Sequence, residues 1–188
     1  EFLGITPAYN EADISGLFYI FFTIFFAMLV GDAGYGLIIL VGAHWMRSKR
    51  TKIPAGVATL FTVFGLATIA WGILTASYFG IDTKLLPDYL GFLNHGIARW
   101  LAEQNNIMMF CFGLGALHLS LGHAWNALCL FPDSRFLAQV GWIGVVITMF
   151  CASSALVGAI ALPSFIYPLA IVSVLLIAFF MLKRSELK

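Results

Sequence analysis

The chain has 188 residues, of which 61% are hydrophobic and only 10% charged, with a mean hydropathy of +0.96 and a formal net charge of +1. A soluble domain typically carries about 25% charged residues, so this composition excludes an ordinary soluble domain and reads as a polytopic membrane protein. The near-neutral balance gives no basis for binding nucleic acid.

In chain order, residues 1–15 form a polar lead, with Pro7, Glu11 and Asp13 keeping it out of hydrocarbon. Asp13 or Ser15 is placed to cap the helix that follows. That helix, 16–30, is apolar and long enough, at about 1.5 Å per residue, to cross most of a bilayer core of about 30 Å. Its phenylalanines suit a lipid-facing helix. A second helix, 35–48, runs into the basic cluster Arg47, Lys49, Arg50 and Lys52. It is short for a full span, so either the basic side chains snorkel or the turn before it lies below the membrane surface. A third helix, 55–79, carries Ala58, Thr62, Gly65, Ile69, Gly72 and Ala76 at alternating spacings of four and three, a seam for close packing in lipid.

Residues 80–105 are expected as an outer loop, because Asp82, Lys84, Asp88, Arg99 and Glu103 are costly in hydrocarbon. Within it Leu90, Leu93, Ile97, Trp100 and Leu101 recur at helical spacing, as in an amphipathic helix lying on the membrane surface. Three further helices are expected over 107–130, 136–162 and 165–182. Gly113, Ala116, Ser120, His123 and Ala127 form a seam on the fourth. Gly141, Gly144, Thr148, Cys151, Ala155 and Gly158 form one on the fifth. On the sixth, Ser173 is the polar residue well inside the span, and Pro163 and Pro168 mark its start, where proline does least harm.

The expected architecture is therefore an all-α, polytopic transmembrane helical bundle over 16–184, with about six membrane helices. Six spans put both ends on one side. Taking that side as cytoplasmic, Arg47, Lys49, Arg50, Lys52, Arg135, Lys183, Arg184 and Lys188 fall inside, and only Lys84 and Arg99 fall outside. Eight of the ten basic residues thus favour a cytoplasmic N-terminus, with 1–15 as a juxtamembrane lead. The chain starts with Glu1, without a charged leader or a cleavage site, and reads as a piece of something longer.

The stretch with most chemical content is Gly31-Asp32-Ala33-Gly34-Tyr35-Gly36, which interrupts a long apolar run. Gly31, Gly34 and Gly36 are expected to form a structural turn. Asp32 has two readings. It is a cap for the second helix at the outer surface, or a membrane-embedded carboxylate beside a proton path. His118 and His123 are the other candidate ion-path groups, since imidazole titrates near neutral pH. Five residues apart, they stand about 140° from one another around a helix and make a poor metal pair. The first reading of each is a satisfied interhelical hydrogen-bonding group. Cys111, Cys129 and Cys151 lack metal-ligand spacing and read as small buried thiols. The hexamer lacks the Gly-Lys-Ser/Thr ending of a phosphate loop. No catalytic constellation, metal site or cofactor motif is found, and the chain is expected to be non-catalytic.

Pro7-Ala8-Tyr9-Asn10-Glu11-Ala12-Asp13, an aromatic helix, and then Gly31-Asp32-Ala33-Gly34-Tyr35-Gly36-Leu37 resemble the start of the membrane domain of the V-type and A-type rotary ATPase subunit a, called subunit I in prokaryotes. Trp71-Gly72-Ile73-Leu74-Thr75-Ala76-Ser77-Tyr78-Phe79-Gly80 resembles the end of that family's third helix, and His118-Leu119-Ser120-Leu121-Gly122-His123 and Gly141-Trp142 resemble its later helices. The resemblance implies a multi-pass stator subunit of the cell membrane. Such a subunit works beside a ring of proteolipid c subunits and with peripheral-stalk subunits, carrying protons or sodium ions to and from the ring. It implies that Asp32 lines or supports the ion path. The family's cytoplasmic half and its arginine-bearing late helices have no counterpart here, so His118 or His123 stands as the candidate partner of Asp32. The other readings are a small stand-alone channel or secondary transporter, and a purely structural membrane scaffold.

Overall fold

A computed structural model describes residues 15–48, 54–81, 100–101 and 103–181. Six α-helices are described, with no strand among the described residues: α1 (Ser15–Val30), α2 (Ala33–Ser48), α3 (Ala55–Leu74), α4 (Gln104–Leu130), α5 (Phe136–Leu156) and α6 (Ile166–Phe180). Three of them, α3, α4 and α5, are long and apolar enough to cross a membrane, and α1 and α6 are shorter apolar helices. The chain is an all-helical membrane protein. The helices group into two compact units, α1–α3 and α4–α6, divided between residues 102 and 103.

In the first unit, α3 is the hub. It packs along α2 and against α1, while α1 and α2 touch little despite the short link between them. The α2–α3 seam is made by glycines that bring backbones together. A Cβ on Gly36 would stand 2.7 Å from the Ile69 nitrogen, and one on Gly65 would stand 2.9 Å from the Leu40 nitrogen. A Cβ on Gly72 would collide with the backbone of Asp32 and Ala33. Ala58, Gly65 and Gly72 of the expected seam are buried, as are Thr68 and, on the side toward α1, Phe64. There Phe64 stacks on Phe26 with ring centroids 4.3 Å apart and meets Phe22 edge-on at 5.4 Å. The phenylalanines of α1 are thus divided. Phe21 is buried and Phe22 and Phe26 pack inward on α3, while Phe18 faces outward beside Tyr19, Ile20 and Leu29.

In the second unit, α5 is the hub, packed on both α4 and α6. Gly141 and Gly144 admit the buried Ser173 of α6. A Cβ on Gly141 would stand 2.7 Å from the Ser173 oxygen, and one on Gly144 would overlap the Ser173 hydroxyl. That hydroxyl donates to the Leu169 carbonyl at 2.6 Å, which satisfies it inside the packed pair. The seam expected on α4 is looser. No residue of α4 is buried, and Gly113 reaches only ordinary contact with the Phe150 ring at 3.5 Å.

Two helices stop earlier than their apolar runs. α3 closes at Leu74 and not near residue 79, because the chain bends away to reach Asp32. α5 closes at Leu156 and not near residue 162, where Gly158 takes a φ of 73°. The three cysteines are not uniformly buried: Cys151 is, Cys111 is half-buried and Cys129 is exposed, since it sits on the loosely covered α4. Asp13, the side chain of Ser15 and the amphipathic pattern at Leu90, Leu93 and Ile97 lie outside the described residues.

Gly36→Ala should destabilise the first unit by about 1–3 kcal/mol, because the added methyl overpacks a backbone contact. Gly42→Ala, with no atom within 4 Å of its Cβ position, should be neutral or stabilising by up to about 1 kcal/mol. Thermal unfolding of the two variants side by side in detergent checks the contrast.

Candidate functional site

Asp32 sits in the two-residue break between α1 and α2. Gly31 makes the break possible: it takes a φ of 68°, the left-handed region glycine enters without a steric penalty, and its N–H donates to the Ala27 carbonyl at 2.8 Å. Asp32 then occupies the N-cap of α2. Its Oδ1 accepts from the backbone N–H of Gly34 at 2.7 Å and of Tyr35 at 3.2 Å, two of the donors that a helix start leaves unpaired. Its Oδ2 accepts from the Ser77 hydroxyl at 2.9 Å and from the Gly80 N–H at 3.2 Å, both in the segment after α3. The side chain is 5% exposed.

The segment after α3 is shaped for this. Thr75 N–H bonds back to the Trp71 carbonyl, and Ser77 N–H to the Gly72 carbonyl at 2.8 Å. The Ser77 carbonyl accepts from the Ala33 N–H at 3.0 Å, so Ser77 grips the start of α2 with backbone and side chain together. Ala76 and Phe79 adopt φ values of 54° and 53°. Left-handed backbone at non-glycine residues costs about 1–3 kcal/mol each and persists where the surroundings over-determine it. Phe79 closes the turn by lying against Gly34, where a Cβ would strike its ring, and by meeting Tyr35 edge-on with centroids 5.7 Å apart.

Four donors therefore converge on one carboxylate, at the positive end of a helix. An ionised carboxylate is an acceptor at both oxygens, and this set of contacts is matched to that form. The arrangement ties α2 to the end of α3. Of the three glycines expected to form the turn, Gly31 lies in it, whereas Gly34 and Gly36 lie inside α2 and face the Phe79 ring and α3.

The two candidate histidines, His118 and His123, lie in the second unit. His123 on α4 donates from Nδ1 to Oε1 of Gln139 on α5 at 2.8 Å, since an amide oxygen only accepts. Its ring lies parallel to Trp142, with centroids 5.7 Å apart and 7° between planes. His118 is half-buried, about 140° round the same helix. The hydrogen-bond donors to Asp32 in the structure are Gly34, Tyr35, Ser77 and Gly80 of its own unit. Among the described residues, no group of three or more His, Cys, Asp or Glu side chains is placed to hold a metal ion.

Sequence reasoning gave no site role to Ser77 or Trp142, which stand in stretches quoted for the resemblance, and passed over Gln139. Gln139 had a signal: it is the one amide or acid side chain in the fifth apolar segment, and such a residue needs a partner in lipid.

Comparison with known proteins gives consistent relatives. The chain is 34% identical to a V-type ATP synthase subunit I of Treponema pallidum over 148 residues, covering 75% of this chain and 24% of the relative. It is 32% identical to the V-type ATP synthase subunit I of Borreliella burgdorferi over 159 residues, covering 79% and 26%. It is 27% identical to the A-type ATP synthase subunit I of Methanocaldococcus jannaschii over 175 residues, covering 77% and 25%. The chain thus spans about a quarter of the length of the curated relatives it matches. No family model matches the chain, and no solved structure does.

Asp32→Ala should cost about 1–3 kcal/mol, because buried donors lose their acceptor, and Ser77→Ala less, about 1 kcal/mol. The double variant should be less destabilised than the sum of the two, since both remove the same contact. Equilibrium unfolding of the four proteins measures that coupling, and strict additivity would show that Ser77 and Asp32 act independently.

Proposed function

We propose that this chain, which belongs over about three quarters of its length to the V-type and A-type ATP synthase subunit I family, forms part of the membrane stator of a rotary ATPase. The identity to subunit I relatives over most of the chain is the observation that carries the reading. The all-helical, apolar architecture agrees with it. The working arrangement is six crossings of the cell membrane with both ends cytoplasmic, supported by the eight basic residues on that side. The part it plays is non-catalytic: it stands beside a proteolipid c ring, with peripheral-stalk subunits holding the stator still while protons or sodium ions pass.

Asp32 supports the ion path by fastening α2 to α3. A stator must resist the torque of a turning ring, and a clasp that joins a helix start to the end of its neighbour resists shear between them. Every contact of Asp32 comes from a donor, which favours this holding role over one in which the carboxyl repeatedly gains and loses a proton. His123 is the ion-path candidate of the second unit, and His118 the further one.

The test uses the intact complex. Full-length subunit carrying this chain should co-purify with a proteolipid ring. Asp32→Asn replaces one acceptor oxygen by an NH₂ that faces donors, and should lower ATP-driven ion pumping several-fold in membrane vesicles. Unchanged pumping at normal assembly would remove Asp32 from the ion path and its support.

A further inference from the structure

In the second unit, His123 and Gln139 form a polar pair set into apolar helices. Gln139 and Trp142, three residues apart, share a face of α5 and meet the His123 ring from two sides, the amide at its edge and the indole on its face. His123 and Trp142 also line a cleft of about 420 Å³ between α4 and α5, whose other walls include Leu119, Val145 and Phe150. Together the amide and the indole fix the plane of the His123 ring, its rotation and the position of one hydrogen.

We propose that Gln139 is a positioning residue for His123: its amide oxygen keeps a hydrogen on Nδ1, Trp142 fixes the plane of the ring, and Nε2 alone gains and loses a proton at the α4–α5 cleft. The functional consequence rests on the reading of the chain as part of an ion-translocating ATPase. In the neutral ring Nδ1 carries the hydrogen and Nε2 the lone pair. A proton taken up at Nε2 gives the imidazolium, with both nitrogens protonated. Its release returns the same tautomer, so one proton enters and one leaves with no other bond changed. Both contacts survive the cycle and strengthen in the charged state, because the amide oxygen then accepts from a cation and the indole face attracts it. The ring can change charge without leaving its place.

The surroundings leave this site to the imidazole. Neither α4 nor α5 carries a carboxylate. Cys111 is the other titratable side chain lining the cleft, while Cys129 and Cys151 do not line it. His118 stands about 140° away on α4. Arg135, one turn before Gln139, pairs with Asp133 at 3.0 Å.

The test follows ion pumping against pH in the intact ATPase for the wild type, Gln139→Leu and Gln139→Glu, with ATP hydrolysis and subunit assembly measured alongside. Gln139→Leu should move the pumping profile to lower pH. Gln139→Glu, which keeps an acceptor and adds a negative charge beside the ring, should move it to higher pH by about one unit. The upward shift should vanish when His123→Gln is added. A purely structural role would lower pumping at every pH without moving the profile, and unmoved profiles in both assembled variants overturn the proposal. A second readout is independent of the ATPase assignment. In ¹⁵N-histidine-labelled full-length subunit, the His123 signal, identified by its loss in His123→Gln, should report the Nδ1–H tautomer and become mixed in Gln139→Leu. An Nε2–H tautomer in the wild type overturns the proposal even if the complex pumps as expected. Failure of the subunit to co-purify with a proteolipid ring, with the Nδ1–H tautomer observed, would sink the ATPase reading and uphold the positioning role.

Discussion

One carboxylate holds the first unit at its most exacting point. Asp32 accepts two backbone donors at the start of α2, and a hydroxyl and a backbone donor from the segment after α3. A helix start leaves its first N–H groups unpaired, and in an apolar setting each unpaired group costs several kcal/mol. A carboxylate can answer two of them with one oxygen and still offer the second oxygen to a neighbouring element. That geometry explains why the chain can interrupt an apolar run with a charge. It also explains why α3 ends early: the segment beyond Leu74 is used to reach Asp32, at the cost of left-handed backbone at Ala76 and Phe79.

The clasp works only because the helices beneath it approach closely. Gly36, Gly65 and Gly72 remove the side chains that would hold α2 and α3 apart, and hydrocarbon offers no hydrophobic force to replace backbone-to-backbone contact. The second unit solves the same problem with Gly141 and Gly144 around a self-satisfied Ser173. α4 is the exception. It packs along α5 without burying a residue, and the His123–Gln139 hydrogen bond and the Trp142 stack join the two helices.

Much of this was legible in the residues. Composition pointed to a membrane protein and the apolar segments to helices, and the seam spacing on the third helix picked out Gly65 and Gly72. The cap reading of Asp32 followed from a carboxylate standing just before a helix. The rest depended on contacts that no local pattern encodes. Ser77 and Gly80 lie 45 and 48 residues from Asp32 in the chain, and only the return of α3 alongside α2 brings them to it. The early end of α3 was hidden because apolar residues continue past it. Gly34 and Gly36 look like turn glycines by spacing, but their missing side chains serve neighbours that are distant in sequence. The seam on α4 faces α5 at Gly113, Ala116 and His123 but buries no residue, since small residues permit close packing without requiring it.

These features suit the stator role proposed for the chain. The relatives are subunits of V-type and A-type ATP synthases, and a membrane part held by backbone contacts and a multiply bonded carboxylate would keep its shape beside moving neighbours. The most direct measurement of the central claim is amide hydrogen exchange at Gly34, Tyr35 and Gly80. If Asp32 clasps α2 to the end of α3, the three amides are protected together in the wild type and lose protection together in Asp32→Ala. Free exchange at Gly80 in the wild type, or protection that survives the loss of the carboxylate, would contradict the account.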